Sequence, residues 1–305
     1  MGKATRIRQQ NAREKIAAQR AAARRAEVRR RVLITSCSVV VVLAIVLAFV
    51  LIKVTGNNNS SGSSSAGVTG TVLPASVAKN VTSVPASTLN TVGVGSVPAY
   101  MTADEGGSPP IGKVSGSPLT SGGNPEMLFI GAEFCPYCGA ERWAMAVALS
   151  RFGHFTTPLR GYHSSPTDTD PNTPTLTFYK SSYTSPYLAF TAVENENIDR
   201  GPLQNTTAAQ QAVWTKYDPP PNGPGYPFID FGNKYVLKLP NYDPGVLAKM
   251  TWAQVAAALH DPSSPVAQGA DGSANLITAA ICKMTGGKPG NVCTAPGVVK
   301  ASGSL

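Results

Sequence analysis

The sequence predicts an α/β domain, a central sheet flanked by helices with an inserted strand pair and helix, preceded by one N-terminal transmembrane helix. Three observations predict it. The apolar run Met127 to Ala132 leads into Cys135-Pro136-Tyr137-Cys138, and a helix-like stretch from Gly139 to Phe152 follows. Gly225 to Asn233 (GYPFIDFGN) reads as a turn, a proline opening a strand, and a second turn. Val32 to Ile52 is an uncharged stretch of 21 residues, about 31 Å long as a helix and so long enough to cross bilayer hydrocarbon.

From the N-terminus, residues 1–31 hold eleven Lys and Arg against Glu14 and Glu27, and their net of +9 is the whole of the chain's +9. The other 274 residues carry fifteen basic and fifteen acidic side chains. A nucleic-acid footprint needs basic charge clustered on the folded part, so a nucleic-acid partner is excluded. Basic residues massed before residues 32–52, with only Lys53 directly after, place the N-terminus in the cytoplasm and the C-terminal domain outside the cell membrane. A cleaved signal peptide fits less well: the basic region is too long, the apolar run exceeds an h-region, and no A-x-A site follows. Cys37 precedes the main apolar run, where a lipidation signal would follow one, so it reads as a small apolar residue of the span. Residues 53–80, rich in Gly, Ser and Asn, read as a flexible linker. The extracytoplasmic domain is assigned to 81–297 and a C-terminal tail to 298–305. From Thr71 to Asn124, Val, Pro, Ser and Gly predict extended segments with few helices.

The run before the first cysteine pair has apolar residues on both faces, as a covered central strand requires. After it, Trp143, Val147 and the Ser150-Arg151 pair recur at helical intervals, with Ala144, Ala146 and Ala148 supplying propensity. Leu159 to Ser164 is expected as the second strand of the same sheet. Thr175 to Tyr183 and Tyr187 to Glu194 are the inserted strand pair, either strands of the extended sheet or a hairpin beside it, and Gln204 to Tyr217 is the inserted helix. Tyr179, Tyr183, Tyr187, Trp214, Tyr217 and Tyr226 make this part aromatic, to fill a core or to floor a groove. Thr251 to His260 is the closing helix, with Thr251 or its neighbour as cap.

A thiol reacts as thiolate, and unpaired N–H groups with the helix dipole favour that anion at a helix N-terminus. Cys135 is therefore the expected nucleophile. Two intervening residues let Cys138 attack a mixed disulfide on Cys135 and release its partner. The same spacing also makes half of a zinc site.

The dithiol before a helix and the proline-led strand together resemble the thioredoxin superfamily, in which such a helix faces a cis-proline loop lining the substrate groove. The resemblance implies a thioredoxin-like central sheet, Cys135 and Cys138 as the catalytic dithiol, Pro227 as the cis-proline and Tyr226 as the residue before it. The inner Pro-Tyr dipeptide resembles that of glutaredoxins, without any recognisable glutathione-binding pattern. Thioredoxins carry a buried acid six residues before the nucleophile, where this chain has Phe129. Glu133 is the nearby acid for proton transfer, or else a partner for Arg142. Over a longer stretch, FIGAEFCPYCGAERWAMAVALSRFG (129–153), PFIDFGNKY (227–235) and ANLITAAICKMTGGKPGNVC (274–293) resemble the membrane-anchored, thioredoxin-like family called domain of unknown function 929. That likeness spans approximately Val81 to Gly297.

Of five cysteines, Cys282 and Cys293 remain, one ending a predicted helix and the other following a turn-rich return; they are expected to form a structural disulfide. His154, His163 and His260 are dispersed, so no metal is expected, and no G-x-S-x-G elbow accompanies Ser164 and Ser165. The expected activity is thiol-disulfide exchange outside the membrane, needing no cofactor. Its partners are protein thiols or disulfides, with a membrane redox protein for recycling. The alternatives are a non-catalytic envelope scaffold with a structural C-x-x-C disulfide, and a binding domain in which Cys135, Cys138, Cys282 and Cys293 hold zinc.

Overall fold

The computed structural model describes residues 70–98, 111–221 and 223–305. The basic block 1–31, the span 32–52 with Cys37, and the linker up to residue 69 lie outside the described residues. Among those described, no helix is long and apolar enough to cross a membrane.

The described chain begins with β1 (Thr71–Val72), α1 (Ala75–Thr82) and α2 (Ala86–Val92). It continues through β2 (Ile111–Lys113), β3 (Thr120–Ser121) and β4 (Asn124–Gly131) into α3 (Pro136–Leu149). Five strands follow: β5 (His154–Phe155), β6 (Arg160–His163), β7 (Pro174–Thr177), β8 (Tyr183–Thr184) and β9 (Ala189–Glu194). Then come α4 (Ala208–Tyr217), β10 (Phe228–Phe231) and β11 (Tyr235–Leu237). The C-terminal part is helical: a 3-10 turn at Pro244–Leu247, α5 (Trp252–Ala258), and a π turn at Ala267–Asp271 running into α6 (Gly272–Met284). Two short helices, α7 (Gly290–Cys293) and α8 (Pro296–Ser302), complete it.

β4 is the axis of the main sheet. It pairs in parallel with β9, Glu126 facing Ala189 and Gly131 facing Glu194, and antiparallel with β10, Ile130 facing Phe228. Beyond β10 lie β11 and then β2, while β3 forms a hairpin on the first residues of β4. Alternation along β4 serves two cores. Met127 and Phe129 point into the larger one with α3, and Leu128 and Ile130 into a smaller one with Val193, Trp214, Phe228 and Val236. This two-sided burial is what the continuous apolar run in the sequence records. The turn from β10 to β11 needs glycine: Gly232 has φ +67°, and a Cβ there would lie 2.8 Å from Met284 Cγ.

Six expectations are corrected. Helices α1 and α2 occupy a region read as extended; Pro74 and Pro85 stand directly before them, and Val77 with Val81, then Leu89 with Val92, give each a buried face. The folded part thus takes in residues 71–80, given by composition to the linker. Leu159 to Ser164 does not join the main sheet. Its β6 pairs with β1 and β7 in a separate three-stranded sheet, and β9 is the parallel neighbour of β4. Arg160, half-buried, and His163, exposed, at the ends of β6 suit a strand open to solvent at its ends better than one covered along its length. The two runs read as one inserted pair are therefore divided between sheets. Finally, α5 does not close the fold, and Val298 and Ala301 of α8 are buried, so residues 298–302 belong to the packed structure.

Candidate functional site

Cys135 is the N-cap of α3, with φ −79° and ψ 117°, and Pro136 takes the first helical position, where a missing N–H costs nothing. The sulfur of Cys135 accepts the backbone N–H of Cys138 at 3.2 Å. Both cysteines are thiols. Cys135 is 4% exposed and Cys138 fully buried. Nearly all of α3 is buried, because β7 covers it on one side and α6 on another. Thr175 of β7 donates its hydroxyl to Gly139 O at 3.1 Å, and Trp143 donates its indole N–H to Pro174 O at 2.9 Å. Gly139 permits that approach: a Cβ there would lie 3.1 Å from Thr175 Cβ.

The loop from β4 to α3 is held by backbone. Glu133 N–H donates to Glu196 O at 2.8 Å, Ser165 N–H to Phe134 O at 2.9 Å, and Cys135 N–H to Ala132 O at 3.3 Å. Burial pushes the Cys135 thiol up, but the side-chain and backbone hydrogen bonds from Cys138, the Arg142 charge and the Tyr137 backbone outweigh it and hold the thiol below its ordinary value. At Cys138 burial again raises, the hydrogen bond and charge of Cys135 add to it, and the thiol lies well above its ordinary value. The pair is unequal: one sulfur favours the anion, the other keeps its proton.

Tyr226–Pro227 is a cis peptide at the start of β10. The β4–β10 register, continued by one residue, sets Pro227 opposite Gly131, in the strand that leads to the dithiol. Tyr226 lies edge-on to Phe134 with ring centroids 6.1 Å apart, and 5.3 Å from the Trp214 ring. Its hydroxyl donates to Glu196 Oε1 at 3.1 Å and accepts from Asn195 Nδ2 at 3.2 Å. Beside it opens a cleft of about 440 Å³ lined by Asn195, Glu196, Arg200, Gln204, Thr206 and Tyr226. Arg200 stacks over Phe134 at 3.7 Å and pairs with Asp168 at 2.7 Å. The aromatic group is thus divided: Trp214 sits in the smaller core, and Tyr226 lines the cleft.

Glu133 is buried beside the dithiol loop and accepts the Thr177 hydroxyl at 2.6 Å. Arg142, the ion-pair partner the sequence offered it, is engaged by Glu194 at the end of β9. Arg142 Nε donates to Glu194 Oε1 at 2.9 Å and Nη2 to Oε2 at 2.5 Å. Sequence reasoning missed Glu194, whose separation of 52 residues from Arg142 leaves no local signal. The one trace is an acid closing an otherwise apolar strand run.

Cys282 and Cys293 form a disulfide with Cα atoms 5.6 Å apart. The four-cysteine zinc set is thereby lost, since two of its sulfurs are bonded to each other. Among the described residues no group of three or more His, Cys, Asp or Glu is placed to hold a metal ion.

Fold and site together define a mixed α/β domain with an unequal buried dithiol at a helix N-terminus. The model of the family described as Domain of unknown function (DUF929) matches residues 110–283. The match covers 174 of the 305 residues, and the chain belongs to that family. It includes both dithiol cysteines and Pro227 and is shorter than the 81–297 stretch of the sequence likeness. No curated protein and no solved structure matches the chain.

Proposed function

We propose that the protein is a membrane-anchored, extracytoplasmic thiol-disulfide oxidoreductase with Cys135 as nucleophile and Cys138 as resolving thiol. The observation that carries this reading is the inequality of the two sulfurs: Cys135 caps α3 and accepts the Cys138 N–H, while Cys138 is wholly buried. Exchange needs a sulfur that ionises readily and a second that holds its proton until it attacks. The strand order supports a thioredoxin-like arrangement. β9, β4, β10 and β11 lie side by side, β9 parallel and β10 antiparallel to β4, with the dithiol after β4 and the cis-proline before β10. The cleft beside Tyr226 is the candidate seat for a protein substrate, with Tyr226 and Pro227 at its edge. Glu133, buried next to the dithiol loop, is the candidate proton acceptor. The uncharged stretch 32–52 and its basic flank support the anchor and its orientation.

One observation favours a second reading, a non-catalytic scaffold: Cys135 exposes only 4% of its surface. Redox titration of the full-length chain against glutathione and dithiothreitol, with Cys135→Ser as control, separates the two. A reversible couple between about −120 and −270 mV that the variant lacks is expected of the oxidoreductase. A pair that resists reduction below about −300 mV belongs to the scaffold.

A further inference from the structure

Arg142 is the one charged side chain of α3 with a cationic head, and it is fully buried. It stands four residues after Cys138 and seven after Cys135, so all three lie along one face of the helix. Helical side chains lean toward the N-terminus, and this one reaches the first turn: Nη2 donates to Ala132 O at 2.9 Å. The N–H of Cys135 donates to that same carbonyl at 3.3 Å. The guanidinium and the Cys135 backbone therefore meet on a single oxygen.

Glu194 binds the guanidinium along one edge, through Nε and Nη2, and its Oε1 also accepts the Phe178 N–H at 3.1 Å. The other edge is left over: Nη1 is buried and has no hydrogen-bond partner. A buried donor left unbonded costs free energy, and here it leaves one edge of the cation that no acceptor engages. Over the guanidinium lie Phe129, whose ring centroid is 5.5 Å from the guanidinium carbon, and Tyr162, at 5.7 Å, with a buried and unbonded hydroxyl. Among the described titratable groups, Glu133, Glu194, Tyr162, Cys135 and Cys138 act electrostatically on this neighbourhood.

Resting on the oxidoreductase reading, we propose that Arg142 is the positioning residue of the dithiol: its buried positive charge, on the helix face that carries both sulfurs, stabilises thiolate charge in the reduced pair and so makes the domain an oxidant of protein thiols. A reduced form stabilised in this way makes the disulfide a stronger oxidant. In the reaction, a substrate thiolate attacks Cys135 Sγ of the Cys135–Cys138 disulfide. The S–S bond breaks and its electron pair passes to Cys138, which takes up a proton. A second substrate thiolate attacks the substrate sulfur of the mixed disulfide and expels Cys135 as the thiolate. One disulfide and two thiols thus become one dithiol and one substrate disulfide, and a partner protein's disulfide reoxidises the pair.

The test measures, in the full-length chain, the pH profile of Cys135 alkylation by iodoacetamide and the potential of the pair, for Arg142→Met, Arg142→Lys and Glu194→Gln. Arg142→Met is expected to slow alkylation at pH 6 about tenfold and to move the potential about 30 mV more negative per tenfold. Glu194→Gln, which removes the neutralising carboxylate, is expected to move both quantities the opposite way, and Arg142→Lys to restore most of the wild-type profile. A purely structural role moves Arg142→Met and Glu194→Gln in the same direction, and that result overturns the proposal, as does an unchanged profile in Arg142→Met. If Arg142→Met does not fold, Glu194→Gln alone decides by its sign. Alkylation requires no turnover, so absence of a reversible couple would refute the oxidoreductase reading while leaving the alkylation signature of Arg142 measurable.

Discussion

Glu141, one turn past the start of the dithiol helix, is tied to Asn241 across the core: the Asn241 backbone N–H donates to Glu141 Oε1 at 2.5 Å. Ser273 of α6 donates its hydroxyl to Oε2 at 2.9 Å. Burial nonetheless pushes Glu141 up to about 7, against these hydrogen bonds. Close by in the helical layer, Asp271 has both carboxylate oxygens buried and unbonded, and burial raises it to about 8 against the pull of Arg151.

These two carboxyls give stability a definite slope with pH. Unfolded, each titrates near about 4, so between there and about 7 to 8 the folded chain binds more protons than the unfolded one. Stability is then greatest in acid and falls as pH rises through that window, by on the order of a few kcal/mol. Urea midpoints at pH 5, 7 and 9 should decrease in that order, and Glu141→Gln should flatten the fall up to pH 7. A midpoint that climbs from pH 5 to pH 9 would contradict the assignment.

The two thiols should label in a fixed order. With Cys135 held below its ordinary value and Cys138 well above, iodoacetamide at pH 7 is expected to modify Cys135 first, as read by peptide mass mapping. In Cys135→Ser, Cys138 should stay slow, because burial, the largest cause of its shift, is unchanged. Preferential labelling of Cys138 would refute Cys135 as nucleophile.

Removing the Cys282–Cys293 bond should weaken the fold and spare the dithiol. The bridge spans 11 residues, and closing a loop of that size stabilises by about 2–3 kcal/mol in the chain-entropy model. The double variant Cys282→Ser, Cys293→Ser should show a lower urea midpoint with the labelling order of Cys135 and Cys138 intact. An unchanged midpoint would mean that the unfolded chain gains little freedom from losing the bridge.

Trp143 anchors α3 to β7 by packing and by one hydrogen bond. Trp143→Phe keeps most of the ring but strands the buried Pro174 carbonyl, at a cost of about 1–3 kcal/mol. Trp143→Ala adds a cavity and should cost about 3–5 kcal/mol. Calorimetry of both variants should rank them in that order, and near-equal losses would assign the whole effect to the hydrogen bond.

What the sequence made legible was whatever is local. The strand before Cys135 was visible because β4 is buried on both faces and its residues are apolar without alternation. The helix after it showed in its spacing, and the C-terminal disulfide in the turn between its cysteines; the sequence reads the cap as Thr251 or its neighbour, and it is Thr251, in a capping box with Gln254. Hidden were the relations between distant segments. Nothing in Leu159 to Ser164 tells a strand of the main sheet from one of a separate three-stranded sheet, since both are short and partly apolar. Pro74 and Pro85 mark helix starts, yet among Val and Ser they read as extended chain. The pairing of Arg142 with Glu194 was the largest omission, because Glu133 lay nearer in sequence and offered the same charge.

The C-terminal bridge also bears on how the chain acquires its connectivity. Four cysteines can pair in three ways, and two of those ways would join α3 to the C-terminal helices. Cys135 and Cys138 lie within one helical turn, whereas Cys282 follows Cys138 by 144 residues. As a chain emerges from its N-terminus, the first pair meets any oxidant long before the second exists. On the proposed oxidoreductase reading, the first pair is already closed when Cys282 and Cys293 arrive, and leaves them only each other. On that reading, chain order guards the C-terminal linkage during biogenesis, ahead of any contact that the finished core provides.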